Sequence, residues 1–99
     1  MKKLKPVHPG EILKHDFMEP FGLSSNALAK AIGVTPARVN EIVRERRGIT
    51  AETALRLAKY FSTDAQSWMN LQDQYELTLA EQSVNRALKS IHPIAQAVN

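Results

Sequence analysis

The sequence predicts an all-α protein, on three observations. Apolar residues recur at helical spacing along most of the chain, as at Ala54, Leu57, Ala58 and Phe61. Residues that cap and stop helices punctuate those stretches at short intervals. No alternation of polar and apolar residues runs long enough to make a strand. A length of 99 residues allows one small core with a terminal appendage.

Residues 1–7, with Lys2, Lys3 and Lys5, read as a flexible basic arm. Pro9 suits the first position of a helix, with His8 ahead of it and Glu11 placed to reach back to free amides. Ile12, Leu13 and Phe17 give that helix an apolar stripe, which Pro20 and Gly22 close. Ser24, Ser25 and Asn26 announce a second helix. Leu28, Ala29 and Ile32 face inward, and Gly33 is its left-handed stop. Thr35 caps a third helix that starts at Pro36, buries Val39, Ile42 and Val43, and is expected to end at Gly48. Thr50 caps a fourth, with Ile49 placed to staple onto Ala54. Asp64 caps a fifth, with Trp68, Leu71, Tyr75 and Leu79 along one side. A sixth stretch repeats the spacing at Val84, Ala87, Leu88 and Ile91, before His92–Pro93. The expected division is an arm over 1–7, a folded domain over 8–79, and a C-terminal helix and tail over 80–99.

Composition narrows the function. With no cysteine, thiolate catalysis, thiolate metal sites and disulfides are excluded, and a reducing compartment suits the chain. No apolar run reaches the roughly 20 residues of a spanning helix, and MKKLKP lacks the apolar segment of a secretory signal. A cytoplasmic protein with no membrane partner is expected. His8, His15 and His92 have no third ligand at metal spacing, and neither a Ser-His-Asp set nor a Gly-rich phosphate loop is present. Asp73, Glu76 and Glu81 read as a solvated helix face. Neither a metal, a cofactor nor an enzyme is expected. Net charge is +3, but its distribution is uneven. Residues 1–50 hold nine basic and five acidic side chains, and residues 51–99 hold four and five. The excess belongs to the N-terminal half.

That half contains the informative segment, Ser24 to Gly48. Two short helices joined by a brief turn with glycine have helix-turn-helix geometry. Ala29 is small where the helices cross, and Gly33 permits a positive φ at the bend. Val34, Val39 and Ile42 pin the third helix, leaving a face of Thr35, Pro36, Ala37, Arg38, Asn40, Glu41 and Arg44. Arg38 and Arg44 suit bidentate contact with guanine, Asn40 with adenine, and Pro36 and Ala37 the methyl of thymine. The helix starts at Ser24, Ser25 and Thr35 offer amides and hydroxyls to phosphates. Arg46 and Arg47, just past the helix, are placed for the DNA backbone. Each has a plainer reading: Ser24 and Thr35 are caps first, Arg38 and Arg44 singly are ordinary surface charges, and Glu41 is a partner for Arg38 or Arg44 along the helix.

A second surface is written further on. Trp68, Met69, Leu71, Tyr75 and Leu79 form an aromatic-rich stripe that is mostly core, and the Val84–Ile91 stripe has no place in a five-helix core. Trp68, Tyr75, Leu79, Val84, Leu88 and Ile91 are the candidate dimer or partner surface.

The segment from Ser24 to Phe61 resembles the Xre-type helix-turn-helix domain of phage repressors and Cro. The wider pattern resembles the HigA antitoxins, the VapI-like addiction-module antidotes. The residues that carry it are HPGEIL at His8–Leu13, EPFGLS at Glu19–Ser24, LAKAIGV at Leu28–Val34, PARVNEIVRERRGITAETALRLAKYF at Pro36–Phe61 and WMNLQDQYEL at Trp68–Leu77. The resemblance implies a five-helix, lambda-repressor-like domain and a homodimer. It implies neutralisation of an mRNA-cleaving HigB-type toxin of RelE-like fold. It also implies repression of the antitoxin's own operon at a palindromic operator on double-stranded DNA. By motif position Thr35, Arg38, Asn40 and Arg44 would read bases, with Ser25 and Arg47 on phosphates. The sequence after Leu79 matches no pattern, and a solitary repressor without a toxin is the alternative.

Overall fold

The structure, a computed structural model, describes residues 5–94. Lys2 and Lys3 of the expected arm, and the tail beyond Ile94, lie outside the described residues. The described chain is helical, with no strand among those residues. Helix α1 (Pro9–Ile12) continues into a π-helical stretch, Leu13–Met18, and a 3-10 turn, Glu19–Phe21. Then follow α2 (Ser25–Ile32), α3 (Pro36–Val43), α4 (Ala51–Phe61) and α5 (Ala65–Leu88).

All five helix starts are capped by a side chain, which accepts from one of the amides that the first turn leaves unpaired. Ser24 Oγ accepts from the Ala27 amide at 3.0 Å, Thr35 Oγ1 from Arg38 at 3.2 Å, and Thr50 Oγ1 from Thr53 at 3.3 Å. Asp64 Oδ1 accepts from the Ser67 amide at 2.8 Å, and a bond from the Ser67 hydroxyl, followed by that amide bond, holds its carboxyl below the usual range. At α1 the cap is the imidazole of His8 rather than Glu11: its Nδ1 accepts from the Gly10 amide at 2.8 Å.

Four of the stops share one geometry. The amides of Leu23, Val34, Arg46 and Thr63 each reach back five residues, to the carbonyls of Met18, Ala29, Glu41 and Ala58. Each closure needs a left-handed residue just before that amide. Gly22 and Gly33 fill two of these places, as expected, and Glu45 (φ 63°) and Ser62 (φ 58°) the others. The third helix therefore ends at Val43, with Arg44 as its cap residue, and not at Gly48. Gly48 is small for another reason: a Cβ there would lie 2.6 Å from Gln72 Nε2.

The first helix is uneven because of Pro20. In a regular α-helix its ring would strike the carbonyl of Asp16; the turn just before it is instead π-helical, with the Glu19 amide donating to the Lys14 carbonyl. At the other end of the chain, the expected fifth and sixth helices are a single unbroken helix, since neither Gly nor Pro occurs between Asp64 and Pro93. It ends at Leu88, short of Ile91.

The core gathers Leu13, Met18, Leu28, Ala29, Ile32, Val39, Ile42, Ile49, Ala54, Leu57, Ala58 and Trp68, with Phe17, Phe61 and Leu71 packed against it. Trp68, read from sequence as part of a partner surface, is instead 2% exposed; it donates through Nε1 to Thr63 Oγ1 at 2.9 Å and packs at a tilt against Phe17. Only the first two turns of α5 take part in that core. From Leu79 onward every described residue is exposed, and the helix projects beyond the bundle to give dimensions of 53 × 25 × 22 Å. Among the described residues no helix is long and apolar enough to cross a membrane.

Candidate nucleic-acid interface

The α2–α3 pair is built to hold one helix face outward. Gly33 (φ 77°, ψ 36°) turns the chain, and its amide and that of Val34 both donate to the Ala29 carbonyl, at 2.9 and 3.0 Å. Thr35 and Pro36 then start α3 at once. Val39 and Ile42, each 1% exposed, fix α3 to the core, and the fully buried Leu28 and Ala29 do so for α2. From a third side, Gly10 of α1 lies against the Ile42 backbone so closely that a Cβ would overlap its carbonyl oxygen. Three elements thus set the attitude of α3.

At about 100° per residue, Ala37, Glu41 and Arg44 lie opposite Val39 and Ile42. Asn40 falls on one flank with Pro36, and Arg38 on the other. Burial follows that arrangement: Pro36, Ala37 and Arg44 are exposed, and Arg38, Asn40 and Glu41 half-buried. The four residues expected to read bases therefore split. Asn40 and Arg44 share an edge of the outward face, Arg38 stands across from them, and the Thr35 hydroxyl is engaged as a cap. Ser24 is likewise a cap, and Ser25 is half-buried in the first turn of α2.

Past the end of α3 the chain doubles back. Arg47 Nε meets Glu41 Oε1 at 3.0 Å, with both side chains about half exposed. Glu41 therefore pairs with Arg47 and not with Arg38 or Arg44, because the left-handed turn at Glu45 brings the loop alongside the helix. An ion pair this exposed contributes only about 0–1 kcal/mol, so it holds the Arg47 side chain only weakly. Arg44 and Arg46 are exposed and make no ion pair among the described residues. Four guanidinium groups are thus displayed on and beside one short helix.

Two contributors have no signature in the spacing. Arg56 of α4 donates through Nη1 to the Ile32 carbonyl at 2.8 Å, satisfying the C-terminal end of α2, while Nε and Nη2 grip Glu52 at 3.1 and 2.9 Å. The Glu52–Arg56 pair is legible as an i, i+4 pair; its reach to the helix-turn-helix bend is tertiary. Gln72 of α5 is 7% exposed and accepts from the Ile49 amide at 2.7 Å. Among the described residues no three His, Asp or Glu side chains gather to hold a metal ion.

The model of one family, described as helix-turn-helix, matches residues 15–68, which span both α2 and α3. The chain belongs to the helix-turn-helix family. Its kin place it more narrowly. It is 54% identical over 93 residues to Virulence-associated protein I of Dichelobacter nodosus, covering 94% of this chain and 85% of that protein. It is 38% identical over 80 residues to the HTH-type transcriptional regulator YbaQ of Escherichia coli K12, covering 81% and 71%. Among solved structures it is similar to the Pseudomonas aeruginosa antitoxin HigA with the higBA promoter. That match has a TM-score of 0.89 and 47% identity, and covers 92% of this chain and all of the other. This helix-turn-helix family groups HigA antitoxins, VapI-like proteins and DNA-binding regulators, and is not a family of enzymes.

Proposed function

We propose that the protein is the antitoxin of a type II toxin–antitoxin module, which neutralises a HigB-type mRNA-cleaving toxin and represses its own operon from a palindromic operator. The observation that carries the DNA-binding half is the attitude of α3. Its inner face is fully buried, its start is capped, and its outer edge shows Asn40 and Arg44 with Arg46 and Arg47 beside them. In this reading Thr35, Arg38, Asn40 and Arg44 approach bases, while Ser24, Ser25, Arg46 and Arg47 hold phosphates. The likeness to an antitoxin solved with its promoter supports the same geometry.

One α3 reads one half-site. Two copies about a two-fold axis would present two such helices about 34 Å apart, one turn of DNA. Leu79, Val84, Leu88 and Ile91 are exposed along the outer part of α5 and just beyond it, with Leu88 at 49% and Ile91 at 67%. They are the proposed dimer or partner surface, together with Tyr75, half-buried against His8; at about 100° per residue Tyr75 and Leu79 lie on one side of α5 and Val84 and Leu88 on the other. We place the protein in the cytoplasm, where both DNA and toxin would be met.

The test uses a duplex spanning the promoter ahead of the chain's own gene. Asn40→Ala and Arg44→Ala should each weaken binding by about 1–3 kcal/mol with circular dichroism unchanged. Full binding by the double variant would remove α3 from the interface. Copurification of the product of the neighbouring gene, and rescue of growth arrested by it, test the antitoxin half. The kinship with a protein named only as a transcriptional regulator favours a second reading, a solitary repressor. That reading holds if the promoter is bound and no neighbour is neutralised.

A further inference from the structure

The loop that carries Arg46 and Arg47 is held at both ends by different helices. On one side the Arg46 amide donates to the Glu41 carbonyl of α3 at 2.8 Å. On the other, the Ile49 amide donates to Gln72 Oε1 of α5 at 2.7 Å. The orientation of the Gln72 amide is not free. Only its oxygen end can meet an N–H, and its nitrogen end donates to Glu76 Oε2 at 2.8 Å. Gly48 completes the joint, since any Cβ there would press on the same amide group. A buried main-chain N–H requires an acceptor, but here the acceptor comes from a helix whose outer half carries the proposed partner surface. Between the two anchors the chain is too short for the arginines to move independently of them.

We infer that Gln72 is a positioning residue for DNA docking: by pinning the Gly48–Ile49 peptide to α5, it sets where Arg46 and Arg47 meet the phosphate backbone. This rests on the DNA-binding reading above, and it makes the loop's position a property of α5 as well as of α3.

Gln72→Met keeps the bulk and removes both hydrogen bonds; Gln72→Asn, one methylene short of Ile49, replaces it in the comparison should the first variant not fold. The probe is the promoter duplex, titrated across a range of salt concentrations. The slope of log affinity against log salt should flatten by about one to two, the loss of one or two phosphate contacts, and binding at moderate salt should weaken roughly tenfold. Arg46→Ala with Arg47→Ala should flatten the slope equally, and adding Gln72→Met to that pair should cost no further affinity. The exchange Gln72→Glu with Glu76→Gln keeps an acceptor for the Ile49 amide and a donor facing it, and should restore the slope. A Gln72→Met protein that melts earlier but keeps the full slope, effects that simply add, or an exchange that restores nothing would each overturn the inference. If instead the arginine pair leaves the slope intact, the assignment of Arg46 and Arg47 to phosphates fails with it. A wild-type chain that binds no duplex removes the DNA-binding reading itself.

Discussion

A histidine that must accept a hydrogen bond inside the protein is held to its neutral form. His8 is 3% exposed, its Nδ1 takes the Gly10 amide, and its ring stands edge-on to Tyr75 at 4.8 Å. Burial lowers its pKa from 6.5, and the nearby charge of Glu45 offsets part of that. Above pH 6.5 both folded and unfolded chains carry the ring neutral, and its cap is fully in place. Below it the unfolded chain takes the proton first, so stability falls as pH drops toward the lowered folded value. Thermal melts at pH 7 and 5.5 should show a larger drop for the wild type than for His8→Asn, which caps without titrating; equal drops would exclude this origin. Glu45 gives a second prediction. It occupies a left-handed position that costs a non-glycine residue about 1 kcal/mol, so Glu45→Gly should raise stability by about that amount in urea denaturation. At this scale the sequence made Val39, Ile42, Asn40 and Arg44 legible, because helical period alone sorts buried from exposed positions. Arg56, Gln72 and the role of Gly48 were not legible, because each acts on a residue more than twenty positions away.

Elements began where capping chemistry said they would; Gly22 and Gly33 stopped theirs as expected, while α3 stopped before Gly48 and α5 ran on unbroken. A start needs a side-chain oxygen or nitrogen at one position, and Ser24, Thr35, Thr50 and Asp64 announce themselves. A stop needs only a left-handed residue, and Glu45 and Ser62 show that packing can force one without glycine. The same asymmetry explains α5, whose length follows from the lack of any breaker after Asp64. Of the four glycines, Gly10, where α1 meets α3, leaves the least room for a side chain. Gly10→Ala would drive a methyl into the Ile42 carbonyl, backbone against backbone, and should cost about 2–3 kcal/mol. Because α3 must shift to relieve it, promoter affinity should fall beyond what the lost stability explains. Wild-type affinity in this variant, measured well below its melting temperature, would show that α1 does not help orient α3.

For the whole molecule, the buried core ends within the first two turns of α5, and from Leu79 the helix continues in solvent. With the dimer proposed through this stripe, Val84→Glu with Leu88→Glu should move light scattering from dimer to monomer mass, keep the helical circular dichroism, and lower the melting temperature only by the stabilisation that pairing supplied. Promoter binding should lose its dependence on a two-fold site in the same variant. An unchanged mass would move the partner surface elsewhere. Since α5 is one uninterrupted helix, the count of residues between Gln72 and Val84 is also an angle. One inserted residue would leave the bundle and the Ile49 joint as they are, yet swing the apolar stripe by about 100° around the helix axis. Three or four inserted residues would bring it nearly back into phase, about a turn further out. With Val84 and Leu88 as the proposed partner surface, the direction in which α3 faces relative to a partner would be stored as a phase along α5, lost on a one-residue insertion and nearly regained on three or four.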